Sequence, residues 1–334
     1  MNHELFPAAL RTVADSCRVA RSVQHALERV RKITKDDRSP VTVADFAVQA
    51  IVAMHLFDDN PNTLIVGEER ADVLRKPEQA VVLEAVVDAV RTVRPSIPPS
   101  DVLDAIDRCD HDATGDAYWA LDPIDGTKGF LRGQQYAIAL GRIEHGRVTL
   151  GVIGCPNLPI DHDQPLDLAD EHGSIYAAAL GQGAWEIPGD DPAAQPRPVR
   201  AAEFDGTRAI RVCESVEAAH SKHSDVMDII EALGGTSEPV RLDSQCKYAV
   251  VARGQADAYL RLPTRKDYVE KIWDHAAGSV IAAEAGALIT DVAGKPLDFS
   301  RGRRLEDNRG VICAAAGLHE QIIQAVAGLG IAAG

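Results

Sequence analysis

Residues 119–133 read WALDPIDGTKGFLRG. The stretch opens apolar, as a buried strand does, and closes on glycines that no strand tolerates well. Between the two halves, Asp122 and Asp125 stand three positions apart around Pro123. Pro123 fixes one backbone angle and Gly126 permits a tight turn. Both carboxylates can then point into one cavity, with the Ile124 carbonyl as a further oxygen between them. Converging carboxylates repel unless cations sit among them. Two magnesium ions about 4 Å apart would remove that cost and clamp the attacking and leaving oxygens of a phosphoryl transfer.

Two other acidic motifs share this context. Glu68 follows the apolar run of "IVGEE", and Asp274 opens "WDHAAGS". Hard oxygen donors held at the ends of rigid elements suit magnesium, and no Cys/His ligand cluster points to zinc. Each motif also has a plainer reading. The "DPIDG" stretch makes a turn by itself, "GEE" makes a solvated strand edge, and Asp274 makes a helix N-cap. Thr127, directly after "DG", either caps a helix or orients a water. Asp45 either caps the helix that follows it or takes the threonine proton, polarising that water for attack.

The bulk composition is consistent with an acid-lined site. The 334 residues carry 35 basic and 50 acidic side chains, a net charge of −15, and 46% are hydrophobic. The charge excludes nonspecific binding to nucleic acid or to an anionic membrane, both of which want a basic surface. The six cysteines, Cys17, Cys109, Cys155, Cys213, Cys246 and Cys313, show no CxxC spacing and read as reduced thiols. No apolar run approaches the length of a membrane span, and "MNHELFPAALRTVADS" lacks a signal-peptide core. A soluble, cytoplasmic protein is expected.

Along the chain, apolar residues at steps of three and four predict one helix over 6–32. "VTVADFAVQAIVAMHLF" reads as extended, turning helical near Asp45. A short strand at 64–66, a helix in "EQAVVLEAVVDAVRTV" and another helix capped by Ser100 follow. Strands are expected at 117–121, on either side of an "EHGR" turn, and as a hairpin in "SIYAAALGQGAWEI". Residues 186–206 read as an exposed loop. The remainder alternates strands at "AIRVCES", "VRLDSQ", "DAYLRL" and "LITDV" with helices near 222–233, 246–253, in "WDHAAGSVIAAEAGA" and in "GLHEQIIQAVAGL". This is the pattern of a layered α/β protein. Its expected division is an N-terminal α+β domain, 1–165, with the first two acidic motifs, and a C-terminal α/β domain, 166–334, with the third.

In this order, "GEE", "LDPIDGT" and "WDHAAG" resemble the magnesium-dependent, lithium-sensitive phosphatase superfamily of inositol monophosphatase and fructose-1,6-bisphosphatase. "SPVTVADFAVQA", "LDPIDGTKGFLRGQQYAIAL", "GVIGCPNLP", "DSQCKYAV", "AYLRLP" and "KIWDHAAGSVI", from 39 to 281, resemble one branch of it more closely, the 3′(2′),5′-bisphosphate nucleotidases. The resemblance implies an αβαβα sugar-phosphatase sandwich and two to three magnesium ions held by Glu68, Asp122, the Ile124 carbonyl, Asp125 and Asp274. It implies that Asp45 and Thr127 activate a water without a covalent phospho-enzyme. The backbone N–H groups of Gly126 and Thr127 would hold the scissile phosphate. His220, Ser244, Lys247 and Arg261, with Asp274, would contact the nucleotide; His223, three residues on, is the alternative to His220. Lys247 and Arg261 suit a 5′-phosphate that is bound but not cleaved.

The implied reaction removes the 3′-phosphate of adenosine 3′,5′-bisphosphate, a by-product of sulfotransfer, with the sulfated nucleotide as a second substrate. An inositol phosphate phosphatase keeps the same chemistry with another substrate. A sensor that binds the nucleotide without turnover is the non-enzymatic rival. The sequence leaves the oligomeric state open.

Overall fold

The computed structural model describes residues 6–31, 39–216, 223–235, 240–265 and 268–331. The chain begins with two helices, α1 (Phe6–Arg31) and α2 (Ser39–Asp59). β1 (Ile65–Val66), α3 (Ala80–Arg91), α4 (Pro99–Asp107), β2 (Ala117–Asp125) and the short α5 (Thr127–Arg132) follow. A run of strands comes next: β3 (Ala137–Glu144), β4 (Arg147–Cys155), β5 (Ser174–Ala179), β6 (Ala184–Pro188) and β7 (Arg197–Val199). The rest is β8 (Val212–Glu214), α6 (His223–Ala232), β9 (Val240–Arg241), α7 (Cys246–Ala252), β10 (Ala258–Arg261), α8 (Ala276–Glu284), β11 (Ala287–Thr290), β12 (Val311–Ala315) and α9 (Ala316–Gly328).

The strands form two sheets, one in the order β1 to β7 and one in the order β11-β12-β10-β8-β9. β1 pairs parallel to β2, and the other neighbours of the first sheet pair antiparallel. α1 and α2 cover one face of the first sheet, where Val13, Phe46, Ile51, Leu121 and Leu140 share a core. α7 and α8 fill the space between the sheets, and α6 with α9 close the outer face of the second. The result is the expected layered α/β order, αβαβα. Gly278 lets the middle layer pack tightly: a Cβ there would lie 2.1 Å from the Tyr248 ring.

Several sequence expectations change. α2 is helical from Ser39 rather than from Asp45; Pro40 suits a first helical turn, and Val43, Phe46, Ala47 and Ala50 then fall on one buried stripe. Asp45 therefore lies inside the helix and caps nothing. Ser100 lies within α4, whose N-cap is Pro98. β2 does not stop at 121 but runs through Asp125. Residues 197–199 are not loop: β7 adds to the edge of the first sheet. β12, an inner strand of the second sheet, has no counterpart among the expected strands. The first sheet runs on from β4 through the β5–β6 hairpin to Val199. Among the described residues no helix is long and apolar enough to cross a membrane.

Candidate active site

The continuation of β2 explains the spacing of its two aspartates. In a regular strand, side chains alternate faces, so residues three apart point to opposite sides. Here Asp122 pairs with Ala139 and Asp125 with Ala137, so β2 carries one residue more than its partner across this step. Such a bulge restores the pointing direction, and Asp122 and Asp125 line the same cavity. Gly126 then turns the chain with φ 87° into α5. A side chain there would be strained on two counts, since its Cβ would also meet the Ser244 Cβ at 2.9 Å.

The cavity has a volume of about 400 Å³. Glu68 from the end of β1, Asp122, Ile124 and Asp125 from the bulge and Asp274 ahead of α8 line it together. So do Gly126, Thr127, Ser244, Lys247 and Arg261. His220 lies outside the described residues, as does the side chain of its alternative, His223. Asp274 does not cap α8; His275 holds the N-cap position, without a side-chain cap.

The acids repel one another. Burial raises Asp122 well above the usual carboxylate range, and Asp125, Glu68, Asp274 and Asp45 raise it further. Glu68 stays open to solvent on one flank. Burial of the rest and repulsion from Asp274, Glu69 and Asp125 still push it up to about 7. Asp274 rises to about 6 through burial, which outweighs the opposing pull of Arg261 and His275. Among the described lining residues there is no Cys or His. Crowded carboxylates with raised proton affinity, lining one cavity with Ile124 and with no soft ligand among the described residues, form a donor set that fits a hard divalent ion.

Asp45 does not appear among the described lining residues. It stands behind the acidic row, where burial and then Glu69 and Glu68 raise it well above its ordinary value. The Thr127 hydroxyl lies 3.4 Å from the Ile124 carbonyl, to which it donates. Among the described residues no hydrogen bond joins Thr127 to Asp45.

The cationic side of the cavity is equally fixed. Lys247 is buried; its Nζ donates to the Leu242 carbonyl at 3.1 Å and lies 5.1 Å from the Tyr259 ring centre. Burial lowers its pKa, partly offset by Asp125 and Asp243. Arg261 pairs with Glu270 at 2.7 Å and lies 3.6 Å from Asp274.

Two residues that sequence reasoning did not single out hold these parts in register. The Gln245 backbone N–H donates to Asp125, its side-chain amide donates to the Trp273 carbonyl, and its Oε1 accepts from the Gly278 N–H. Arg303 donates to the carbonyls of Gly67 at 2.6 Å and His111 at 2.8 Å, with its guanidinium over Trp273. It thus ties the residue before Glu68 to the residue before Asp274. Gln245 lay within the quoted stretch "DSQCKYAV"; Arg303 had no local signal.

An acid-lined cleft between two sheets of an αβαβα sandwich defines a class, and comparison with known proteins supplies its name. The chain belongs to the inositol monophosphatase family, whose model matches residues 1–330. Enzymes of this family are in general magnesium-dependent. Among its relatives, a 3′(2′),5′-bisphosphate nucleotidase of Schizosaccharomyces pombe is 43% identical over 304 residues, covering 88% of this chain and 86% of its own length. A 3′(2′),5′-bisphosphate nucleotidase of Oryza sativa is 39% identical over 335 residues, covering 96% and 92%. Among solved structures, Mycobacterium tuberculosis SuhB superposes with a TM-score of 0.61 at 20% identity, covering 98% of both chains. An inositol monophosphatase from Anabaena (Nostoc) gives 0.62 at 17% identity, covering 97% and 95%. At these identities the structural likeness speaks for the fold.

Proposed function

We propose that this chain is a magnesium-dependent phosphatase that removes the 3′-phosphate of adenosine 3′,5′-bisphosphate, giving AMP and phosphate. Its sulfated form is a second substrate. The observation that carries the reading is the composition of one cavity: a row of crowded carboxylates together with the buried Lys247 and the half-buried Arg261. A monophosphate substrate needs the first set alone. A second phosphate, bound and left intact, gives the cations a task. The names of the relatives, at 39% and 43% identity, favour the same substrate over an inositol phosphate.

Glu68, Asp122, the Ile124 carbonyl, Asp125 and Asp274 would hold two to three magnesium ions. Bound there, magnesium would neutralise the phosphate and stabilise charge on the departing ribose oxygen. Thr127 orients the attacking water through its hydroxyl, and Asp45 accepts the proton that the water releases by way of Thr127; for this relay the hydroxyl turns from the Ile124 carbonyl, to which it donates in the structure, towards Asp45. The backbone N–H groups of Gly126 and Thr127 steady the phosphate at the start of α5. As the bond from water oxygen to phosphorus forms, the bond to the 3′ oxygen breaks, and that oxygen leaves on the ribose and takes up a proton. Ser244, Lys247 and Arg261 grip the rest of the nucleotide; His220 is proposed as a further contact. The site asks for a small-molecule substrate, and its acidity disfavours nucleic acid. A reduced, cytoplasmic setting suits six buried free thiols.

Phosphate release from adenosine 3′,5′-bisphosphate and from inositol 1-phosphate, at equal enzyme and magnesium, tests the reading. Turnover of the nucleotide should be the faster by at least an order of magnitude. Faster release from the inositol ester would reverse the assignment, and tight nucleotide binding without turnover would make the protein a sensor.

A further inference from the structure

Glu270 has no part in the reaction as proposed, yet it is buried beside the cavity, 5% exposed. Its Oε2 lies 2.7 Å from Arg261 Nη2, and the same Nη2 lies 3.6 Å from Asp274 Oδ2. One guanidinium nitrogen thus faces two carboxylates and is bound by Glu270. Glu270 is itself held. His275 Nε2 stands 3.3 Å from Oε2, His275 Nδ1 stands 2.9 Å from the Tyr248 hydroxyl, and the Leu305 N–H donates to the Glu270 carbonyl at 2.9 Å. With Tyr248 donating to Nδ1, the His275 proton falls on Nε2 and points at Glu270.

Glu270, Asp274 and His275 present ligand atoms within 4.8 Å of one another, a spacing that invites reading them as a metal cluster. The contacts speak against it. Arg261 and His275 already engage Glu270, and a cation entering there would have to displace a guanidinium. Arg261 also reaches the Tyr268 hydroxyl at 3.4 Å, but a neutral oxygen cannot replace a carboxylate as the partner of a buried charge.

We infer that Glu270 is a positioning residue: by taking the closer ion pair with Arg261, at 2.7 Å, it holds the guanidinium back at 3.6 Å from Asp274, leaving that carboxylate for a divalent cation and the other Arg261 donors for the anionic end of the substrate. The inference rests on the reading of Asp274 as a cation ligand and deepens it. Without Glu270, the nearest carboxylate to Arg261 is Asp274, and a buried guanidinium takes the partner within reach. An acid neutralised in this way no longer attracts a metal ion. Glu270 thereby keeps cation binding and anion binding separate in a cleft where both charges stand within contact range.

Binding of Mn²⁺ to the purified full-length protein, read from the EPR signal of the free ion, tests this. Glu270→Gln should weaken Mn²⁺ binding by about tenfold or more, the effect of a positive charge brought against a ligand carboxylate. A crystal structure of that variant should show Arg261 moved onto Asp274. Glu270→Asp keeps the charge but draws the carboxylate back from Arg261. It should also weaken Mn²⁺ binding, by about threefold or more. If Glu270→Gln does not fold, Glu270→Asp alone decides. Affinities within about twofold of the parent in both variants would overturn the inference. So would a loss confined to Glu270→Gln, which is the mark of a distant charge effect. Asp274→Asn is the separate control: if it leaves Mn²⁺ binding intact, the cation-site reading fails before the question of Glu270 arises.

Discussion

The backbone N–H of Gln245 donates to Asp125 Oδ2 at 2.6 Å, between residues 120 apart in sequence. The bond is possible because Ser244, the residue before, takes a left-handed conformation with φ 68°. That conformation is uncommon for a residue with a side chain. It aims the next N–H into the cavity and brings Ser244 against Gly126. The bulge of β2 and the start of α7 are thus fitted to each other through the Gln245 N–H on the Asp125 carboxylate and the close approach of Ser244 to Gly126.

Gly126→Ala tests that fit. The new methyl meets Ser244 and forces a side chain into φ 87°, at a cost of about 1–3 kcal/mol. Chemical denaturation should register this loss, and phosphate release should fall by about tenfold or more as Asp125 shifts from its place. Unaltered activity would mean that the contact between 126 and 244 sets nothing in the site.

Asp125→Asn separates chemistry from folding. The amide oxygen can still accept from Gln245, while the cavity loses one charge from a repulsive row. Phosphate release should drop by several orders of magnitude, on the scale of removing an essential electrostatic group. The midpoint of urea unfolding in chelator should hold or rise. A variant both inactive and unfolded would refute the second half.

Lys247→Met keeps the buried volume and removes the ammonium. KM for the bisphosphate nucleotide should rise by about ten- to a hundredfold, the range for one lost charge-assisted contact. A 3′-monophosphate lacking the 5′ group should be nearly unaffected. Equal changes for the two substrates would take Lys247 out of the 5′-phosphate site.

The crowded acids make stability depend on pH. Glu68, held near 7, and Asp274, near 6, are both raised above unfolded values near 4. Between those limits the folded chain binds more protons than the unfolded chain, so metal-free stability falls as pH rises. A divalent ion that replaces the protons cancels that loss. The gain in Tm on adding saturating magnesium should therefore be small near about pH 5 and grow towards about pH 8. A gain that shrinks with pH would contradict the sign.

The parts legible from sequence are those coded over short range. Asp122, Asp125 and Glu68 sit in contiguous motifs, and the alternation of strands and helices gave the layers. Pro123 misled because proline ordinarily ends a strand, whereas at a bulge it sits inside one. The Val-Thr-Val run at the start of α2 has the branched side chains of a strand, and burial of Val43 and Phe46 outweighed it. β12, "VICAA", is too short for its pattern to be told from a helix, and α9 follows it directly. Gln245 and Arg303 act through partners far away in sequence, and a single chain leaves no local mark of such pairings.

The one extra residue in β2 makes the cleft a matter of parity. Laid down as regular strand, the same three-residue step from Asp122 to Asp125 would leave the second acid facing the far side of the sheet, among the apolar side chains of the neighbouring layer. The motif therefore encodes a count as well as a set of ligands: a change that straightened the strand would scatter the centre without touching a carboxylate.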